Sequence, residues 1–238
     1  MSPSPPHTFP GARVILLAGP SGSGKSSLAA RTGLPVLHLD DFYKEADDPT
    51  LPRLPHGAGT DWDSALSWDA DAAVAAIGAL CATGSASVPE YDIASSSITG
   101  EIHVELAGSA VFVAEGIFAA DITDRCRELG LLADTLCLRG RPAVTAWRRF
   151  RRDLAEGRKS VTVLLRRGWR LMRGERAIVA RQTALGAYPC GQDEALRRIT
   201  ALPRSASPAP VQPAPVQPAP VQPAPLRAEL PADVPVVA

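Results

Sequence analysis

The 238-residue sequence contains no asparagine. That absence excludes the Asn-Lys-x-Asp motif with which switch GTPases read guanine, and the Asp-x-x-Gly motif of the same class is missing too. The chain also lacks a sequence similar to Leu-Ser-Gly-Gly-Gln, which argues against a transport ATPase. Its 25 basic residues balance 25 acidic residues, so the overall charge favours neither nucleic acid nor an acidic surface as a partner.

Cysteines are few and apolar runs are short. The four cysteines include no C-x-x-C pair, and the histidines show no ligand spacing, so we expect reduced thiols and no structural zinc. The first apolar run, residues 14–18, is too short for the core of a signal peptide or for a membrane span. We therefore expect a cytoplasmic protein that has no membrane partner.

The end of the chain differs from the rest in composition. From Ser207 onward a five-residue unit, PAPVQ, repeats, and proline at this density removes the donors that a packed core needs. We predict a disordered, polyproline II-like tail over 204–238, which is either passive or a docking segment for a partner domain. Residues 1–11 are also predicted to be flexible, which leaves 12–203 as one folded domain.

Apolar segments alternate with helical segments through this domain. The segments typical of fully apolar strands are 13–19, 35–40, 109–116 and 134–138. The segments typical of helices are 24–33, 69–83, 121–129, 142–156, 159–184 and 192–201. Such alternation predicts an α/β fold of three layers, in which helices cover both faces of a mainly parallel sheet. Ligands of such folds bind at the carboxyl ends of the strands.

Two segments depart from the alternation. Residues 44–62 are rich in proline and glycine, which predicts a long loop. Residues 86–106 favour short antiparallel strands with a turn at Thr99 and Gly100. Within the predicted strand 35–40, His38 alternates with apolar residues and is expected to be a core residue.

The first predicted strand leads into GPSGSGKSS, which satisfies the phosphate-loop pattern G-x-x-x-x-G-K-[ST]. Glycines let such a loop curl so that backbone N–H groups face phosphate oxygens, and the following helix adds its positive end. In this motif Lys25 reaches the β and γ phosphates, and the Ser26 hydroxyl ligates Mg²⁺. We therefore predict a P-loop NTPase fold that binds ATP with Mg²⁺. The residues predicted to hold the nucleotide are Gly19, Ser21, Gly22, Ser23, Gly24, Lys25, Ser26 and Ser27.

Carboxylates follow two other predicted strands. VFVAEG ends its apolar run at Glu115, a pattern typical of a strand that brings a metal-binding acid beside a phosphate loop. VLHLDDFYK places Asp40 and Asp41 at the end of another strand, where one of them can orient or deprotonate an acceptor hydroxyl. The alternative is that both only cap the next turn. Together these carboxylates favour a small-molecule kinase.

In this order the motifs resemble those of the uridine/cytidine kinase family, over about residues 12–160. DDFY resembles the family's D-S-F-Y, which implies that Asp40 is the catalytic base, acting with Lys25, and that Tyr43 contacts the substrate. WDSALSWD is similar to F-D-H-P-D-A-F-D. That similarity implies that Trp62 packs on the nucleoside and that Asp63 binds the ribose hydroxyls.

The resemblance extends to the base site and to a lid. PEYDI resembles P-x-Y-D-F, which implies that Tyr91 lies beside the base, and EGI at Glu115 matches the family's EGI motif. The family's base-reading histidine and arginine fall here on Ser96 and Ile98, which leaves the acceptor's identity open.

The arginine-rich segment RRFRRDLAEGRKS resembles the family's helical lid, predicted here at about 148–160. The resemblance implies that Arg152 and Arg158 contact the phosphates and that Arg149 contacts the substrate. A solvated helix face with i,i+4 ion pairs is the alternative for these arginines.

The sequence therefore favours a kinase that uses ATP and Mg²⁺ to phosphorylate the 5′-hydroxyl of a nucleoside, with uridine or cytidine as the leading acceptor. A P-loop kinase for another small hydroxyl compound is the first alternative. The second is a nucleotide-binding regulatory protein, whose arginine-rich helices would hold nucleic acid or a partner protein. The pattern leaves the oligomeric state open, and a homo-oligomer is compatible with it.

Overall fold

The computed structural model describes residues 11–55, 59–139 and 176–203. The strands are β1 (Arg13–Ala18), β2 (Val36–His38), β3 (Ser85–Asp92), β4 (Ser97–Glu105), β5 (Val111–Glu115), β6 (Leu132–Leu138) and β7 (Tyr188–Cys190). The α-helices are α1 (Lys25–Thr32), α2 (Ala70–Thr83), α3 (Thr123–Glu128), α4 (176–184 within the described residues) and α5 (Gln192–Thr200). Short 3-10 helices cover Leu39–Phe42, Ala65–Ser67 and Ala119–Ile122.

A five-stranded sheet organises the domain, with the strand order β2-β5-β1-β6-β7. Every neighbouring pair in this sheet is parallel, whereas β3 and β4 form a separate antiparallel hairpin. The predicted mainly parallel sheet is thus confirmed. In this topology β1 is the central strand. The segments that follow β1, β2 and β5 meet at the carboxyl ends of the parallel strands.

The central strand β1 is buried on both faces. Leu16 belongs to the apolar core that also contains Ile77 of α2 and Cys126 of α3. Leu17 belongs to a second core with Leu28 of α1 and other residues from α5. Because successive strand residues point to opposite faces, this division confirms the predicted three layers, with helices on both sides of the sheet.

The predicted strand at 35–40 is wrong at its end. Only Val36–His38 is a strand, and Leu39–Phe42 forms a 3-10 helix. The backbone carbonyl of Leu39 accepts a hydrogen bond from the indole Nε1 of Trp68 at 2.6 Å. This carbonyl therefore bonds a distant side chain instead of a neighbouring strand, and the chain turns.

The predicted hairpin turn at Thr99 and Gly100 is also wrong, because both residues lie within β4. The chain reverses between β3 and β4 instead. There the Asp92 carboxylate accepts hydrogen bonds from the backbone N–H groups of Ala94 and Ser95, each at 3.0 Å. Ser96 completes the turn in the left-handed region, with φ of +52°. An aspartate that bonds the backbone two and three residues ahead is typical of a turn.

The sequence did not predict β7, which is short and contains Pro189. Proline cannot donate to a neighbouring strand, so it is tolerated mainly at sheet edges, and β7 is the edge strand beside β6. The helical residues 176–184 agree with the end of the helix predicted at 159–184. None of the described helices has the length and apolar composition of a membrane span.

Several predicted segments fall on parts of the chain that the structure does not describe. Residues 1–10, the helix at 142–156, the lid at about 148–160 and the tail at 204–238 lie outside the described residues. The predictions made for them stay predictions.

Candidate active site

The phosphate loop connects β1 to α1 in a conformation that requires glycine. Gly19 has φ of +144°, and a Cβ at this position would lie 2.8 Å from the carbonyl oxygen of Leu138. Gly24 has φ of +95° and caps the start of α1 in the left-handed region. These two conformations are strained for residues with a side chain. The loop therefore curls against the end of β6 only because glycine stands at its start.

Lys25 and Ser23 face the interior of this loop. The Lys25 side chain is buried, and its Nζ donates to the carbonyl oxygen of Gly19 at 3.1 Å. The Ser23 hydroxyl is buried and has no hydrogen-bond partner within the described structure. A buried donor without a partner is costly, and a phosphate oxygen would satisfy it. The loop therefore fits a phosphate group in its shape, its cation and its available donor.

Glu115, at the end of β5, receives two hydrogen bonds on one oxygen. The Ser26 hydroxyl donates to Glu115 Oε1 at 2.7 Å, and His38 Nδ1 lies 3.2 Å from the same oxygen. Burial alone would raise the pKa of Glu115. The hydrogen bonds from His38 and Ser26, together with the charge of Lys25, outweigh burial and lower that pKa. Glu115 is therefore held as a carboxylate.

Ser26 and Glu115 together fit Mg²⁺. Mg²⁺ prefers oxygen ligands, and in nucleotide sites it binds one or two protein groups together with phosphate oxygens and water. Within the described residues, no group of three or more His, Cys, Asp or Glu side chains is arranged to hold a metal ion. A magnesium ion at Ser26 and Glu115 would thus take its remaining ligands from a nucleotide and from solvent.

His38 is not the core residue that the sequence predicted. Its side chain is 57% exposed and lies against the Glu115 carboxylate. The hydrogen bond to Glu115 is the main reason that the pKa of His38 is raised. The expectation was wrong because His38 is the last residue of β2, and its side chain contacts Glu115 instead of the core.

Asp40 and Asp41 have different surroundings. Asp40 keeps part of its surface exposed. Desolvation by the surrounding protein is the main cause of its raised pKa, the charge of Lys25 opposes this rise, and the charge of Glu115 adds to it. Asp41 is half-buried and accepts a hydrogen bond from the backbone of Tyr91. Burial is the main cause of the raised pKa of Asp41. Asp40 is thus coupled to the phosphate loop, whereas Asp41 binds the β3–β4 hairpin.

Gly116 explains why the 3-10 helix that carries Asp40 can lie so close to β5. A Cβ at Gly116 would lie 2.8 Å from Leu39 Cβ and 3.3 Å from Asp40 Oδ1. Such a contact would force the two segments apart. Glycine after Glu115 therefore keeps the carboxylate of Asp40 beside the end of β5.

Aromatic residues gather around Tyr43, which follows the 3-10 helix that carries Asp40. The Tyr43 ring lies 5.9 Å from the ring of Trp62 and 5.8 Å from that of Tyr91. Burial, followed by the charges of Asp40 and Asp63, raises the pKa of Tyr43. Tyr43, Trp62 and Tyr91, which the resemblance assigns to substrate binding, are thus one cluster, with the Asp63 charge close enough to act on it.

The Tyr91 hydroxyl is already engaged within the protein. It donates to the backbone carbonyl of Lys44 at 3.2 Å, and the Ser96 side chain also forms a hydrogen bond with it. The carbonyl of Ser96 in turn accepts from the Ala46 N–H at 2.9 Å. Ser96 therefore connects the hairpin to the segment after Tyr43.

The arginines of the predicted lid, Arg149, Arg152 and Arg158, lie outside the described residues.

A cavity of about 390 Å³ lies beside the 3-10 helix Leu39–Phe42, with Tyr43 and Ile98 in its wall. Neither Lys25 nor Asp40 lines it. The cavity therefore adjoins the aromatic cluster through Tyr43 but is not lined by the chemical groups at the loop.

Three residues at this site were missed by sequence reasoning. They are His38, which contacts Glu115, Trp68, which holds Leu39, and Gln192, whose Nε2 donates to the carbonyl oxygen of Ser23 at 3.1 Å. Each contact joins segments that are distant in the sequence. Of the three, only Trp68 could have been found from the sequence, because it lies in the WDSALSWD segment in which Trp62 was already assigned to the site.

The fold and the loop together define a P-loop α/β protein of the NTPase type. No family model matches the chain, and no curated protein matches it either. Solved structures do match. One is a candidate fructose transport system kinase from Silicibacter sp. TM1040, with 20% identity, coverage of 86% of this chain and 91% of that chain, and a TM-score of 0.43.

Two further structures are similar to the chain. A protein described as a possible uridine kinase from Bacillus stearothermophilus is 22% identical over 57% of this chain and 74% of that chain, with a TM-score of 0.42. The protein YGR205w is 15% identical over 76% of this chain and 86% of that chain, with a TM-score of 0.43. These are similarities of fold.

Proposed function

We propose that the chain is a kinase that transfers the γ-phosphoryl group of ATP to a hydroxyl group of a small molecule. The observation that carries the proposal is the contact between Ser26 and Glu115, at 2.7 Å. A second carboxylate, Asp40, is close enough to Lys25 for the lysine charge to lower its pKa. A phosphate loop, an acid for the metal and a separate acid for the acceptor are the groups that phosphoryl transfer requires.

Each of these residues has a distinct role in the proposed reaction. The backbone of the loop, the Ser23 hydroxyl and Lys25 bind the phosphates of ATP. Ser26 and Glu115 hold Mg²⁺, which neutralises negative charge on the phosphoryl oxygens when it is bound. Asp40 accepts the proton of the attacking hydroxyl, and its exposure leaves it accessible to an acceptor.

For the acceptor, we propose the 5′-hydroxyl of a nucleoside, with uridine or cytidine as the leading candidate. The aromatic cluster of Tyr43, Trp62 and Tyr91 offers flat apolar faces on which a base can pack, and this supports the proposal. Asp63 is exposed and is proposed to bind the ribose hydroxyls. From the resemblance we further propose that Arg149 contacts the substrate.

The arginines of the lid complete the proposed phosphate site. Arg152 and Arg158 are proposed to contact the phosphates of ATP, because cations beside the phosphates can stabilise the charge of the transition state. Their sequence pattern, taken with the resemblance, supports this assignment.

One observation favours a different small hydroxyl compound as the acceptor. The family's base-reading histidine and arginine fall here on Ser96 and the apolar Ile98, and the nearby Tyr91 hydroxyl is already bonded to the carbonyl of Lys44. A site without a free polar reader discriminates weakly between bases. The second candidate is therefore a P-loop kinase for another polyhydroxy metabolite.

The experiment that tests the proposal is a coupled assay of ADP release with Mg²⁺ and either ATP or GTP. The acceptors are uridine, cytidine, the purine nucleosides and a panel of small neutral polyols. We expect ADP release that depends on one acceptor class and is lost in Asp40→Asn. Tight nucleotide binding without turnover of any acceptor would contradict the proposal and favour a regulatory nucleotide-binding protein.

A further inference from the structure

The parallel pairing of β2 with β5 places His38 directly beside Glu115. The two residues are register partners at the ends of their strands, and His38 Nδ1 lies 3.2 Å from Glu115 Oε1. Glu115 is an ionised carboxylate that can only accept a hydrogen bond. His38 Nδ1 therefore carries the proton and donates.

We propose that His38 is a positioning residue for Glu115, which it holds in the orientation needed to bind Mg²⁺ together with Ser26. The inference rests on the proposed function only in that Glu115 is taken as a magnesium ligand. His38 donates to the same oxygen that Ser26 contacts at 2.7 Å. Two donors on one oxygen restrict the rotation of the carboxylate more than one donor does.

The position of His38 in the chain strengthens this role. His38 is the residue immediately before the 3-10 helix that carries Asp40. The segment that follows it packs on Gly116 so closely that a Cβ there would lie 2.8 Å from Leu39 Cβ. The bond from His38 to Glu115 therefore joins the metal-binding strand to the segment of the candidate base.

His38 contributes little to the core, so its loss should not unfold the protein. Its side chain is 57% exposed, and truncation at an exposed position removes little buried apolar surface. Groups that orient a metal ligand by hydrogen bonding typically change metal affinity by about 10- to 100-fold when they are removed. The expected effect is therefore on magnesium binding, not on stability.

A matched control is present in the chain. His103 Nε2 lies 3.4 Å from Glu105 Oε1, and the His103 side chain is 59% exposed. This pair lies on β4, in the hairpin and not beside the phosphate loop. It has the same residue types and nearly the same exposure of the histidine as the pair of His38 with Glu115.

The test compares the variants His38→Ala, His38→Asn and His103→Ala in the full chain. The amide nitrogen of asparagine stands at the same distance along the side chain as histidine Nδ1, so it can replace the donor. The first measurement is ATP binding by calorimetry over a range of magnesium concentrations. The second is the split between kcat and the apparent KM for magnesium.

We expect His38→Ala to raise the magnesium concentration required for half-maximal ATP binding by about 10-fold or more. His38→Asn should restore most of the affinity, and His103→Ala should match the unmodified chain. An effect below about 2-fold in His38→Ala, or a His38→Asn variant as weak as His38→Ala, would overturn the inference.

Glu115→Gln separates this inference from the proposed function. If Glu115→Gln weakens magnesium-dependent binding while His38→Ala does not, only the positioning role of His38 is wrong. If Glu115→Gln leaves that binding unchanged, Glu115 is not a magnesium ligand, and both the inference and that part of the proposed function fail. The binding measurement requires no acceptor, so it is independent of the acceptor's identity.

Discussion

The indole Nε1 of Trp68 donates a hydrogen bond of 2.6 Å to the backbone carbonyl oxygen of Leu39. Both residues are buried, and Leu39 is the first residue of the 3-10 helix that contains Asp40. The position of the candidate base thus depends on a side chain 29 residues further along the chain. Trp68 also packs against Phe118, with ring centroids 5.8 Å apart.

Replacement of Trp68 by phenylalanine tests this dependence. Trp68→Phe leaves the buried carbonyl of Leu39 without its donor, which costs about 1–3 kcal/mol. We expect a lower free energy of unfolding in urea and a fall in kcat with little change in ATP affinity. Trp62→Phe, in which the exchanged ring carries none of the hydrogen bonds described above, should be more stable than Trp68→Phe. Equal stability of the two variants would contradict the role of this bond.

Asp40 and Asp41 should differ sharply in their effect on turnover. Asp40→Asn removes the candidate base, and general bases typically contribute about 10²- to 10⁴-fold to the rate, so kcat should fall within that range while ATP still binds. Asp41→Asn changes a carboxylate that bonds the backbone of Tyr91 and should retain most of the turnover. Steady-state kinetics of both variants decide the assignment, and the reverse order of effects would refute it.

The raised pKa of Asp40 predicts how the stability of the fold depends on pH. Folding raises this pKa above the ordinary value of 3.8, so the folded chain binds the proton more tightly than the unfolded chain does. The ionised form of Asp40 therefore destabilises the fold at any pH above its folded pKa, and this cost disappears as the pH falls below the unfolded pKa.

Asp40→Asn removes that cost. We expect a small increase in Tm at pH 7, small because Asp40 is exposed to solvent, and no increase at pH values below the unfolded pKa. Thermal unfolding of both proteins across this range is the measurement. An increase that is larger at low pH than at pH 7 would show that the sign is wrong.

Gly116 and Gly78 provide a matched pair of glycine substitutions. Gly116→Ala would bring a Cβ to 2.8 Å from Leu39 Cβ, so it should displace the Asp40 segment and lower kcat at least 10-fold by misplacing the base. Gly78→Ala adds a Cβ within α2 at an ordinary 4.0 Å from Leu131. It should stabilise the helix by about 0.5–1 kcal/mol and leave kcat unchanged. Equal kcat values in the two variants would contradict the close approach.

The fold was largely predictable because its signals are local. Fully apolar runs at β1 and β5 indicate strands buried on both faces, and Asp69 marks the start of α2, where its side chain accepts from the Ala72 N–H at 2.9 Å. β7 was missed because a three-residue strand with a central proline has no strand pattern. The turn between β3 and β4 was misplaced because Thr99 and Gly100 are common in turns, whereas the bonds of Asp92 decide the reversal.

The sequence by itself determined the phosphate loop, because Gly19, Gly24, Lys25 and Ser26 act within a single short segment whose geometry follows from its own backbone. The tertiary structure decided the surroundings of the carboxylates. Only the pairing of β2 with β5 brings His38 to Glu115. The distant indole of Trp68 bonds the carbonyl of Leu39 at the point where β2 ends and the 3-10 helix with Asp40 and Asp41 begins. Contacts between segments far apart in the sequence leave no local pattern, since neither segment requires the other until the chain has folded.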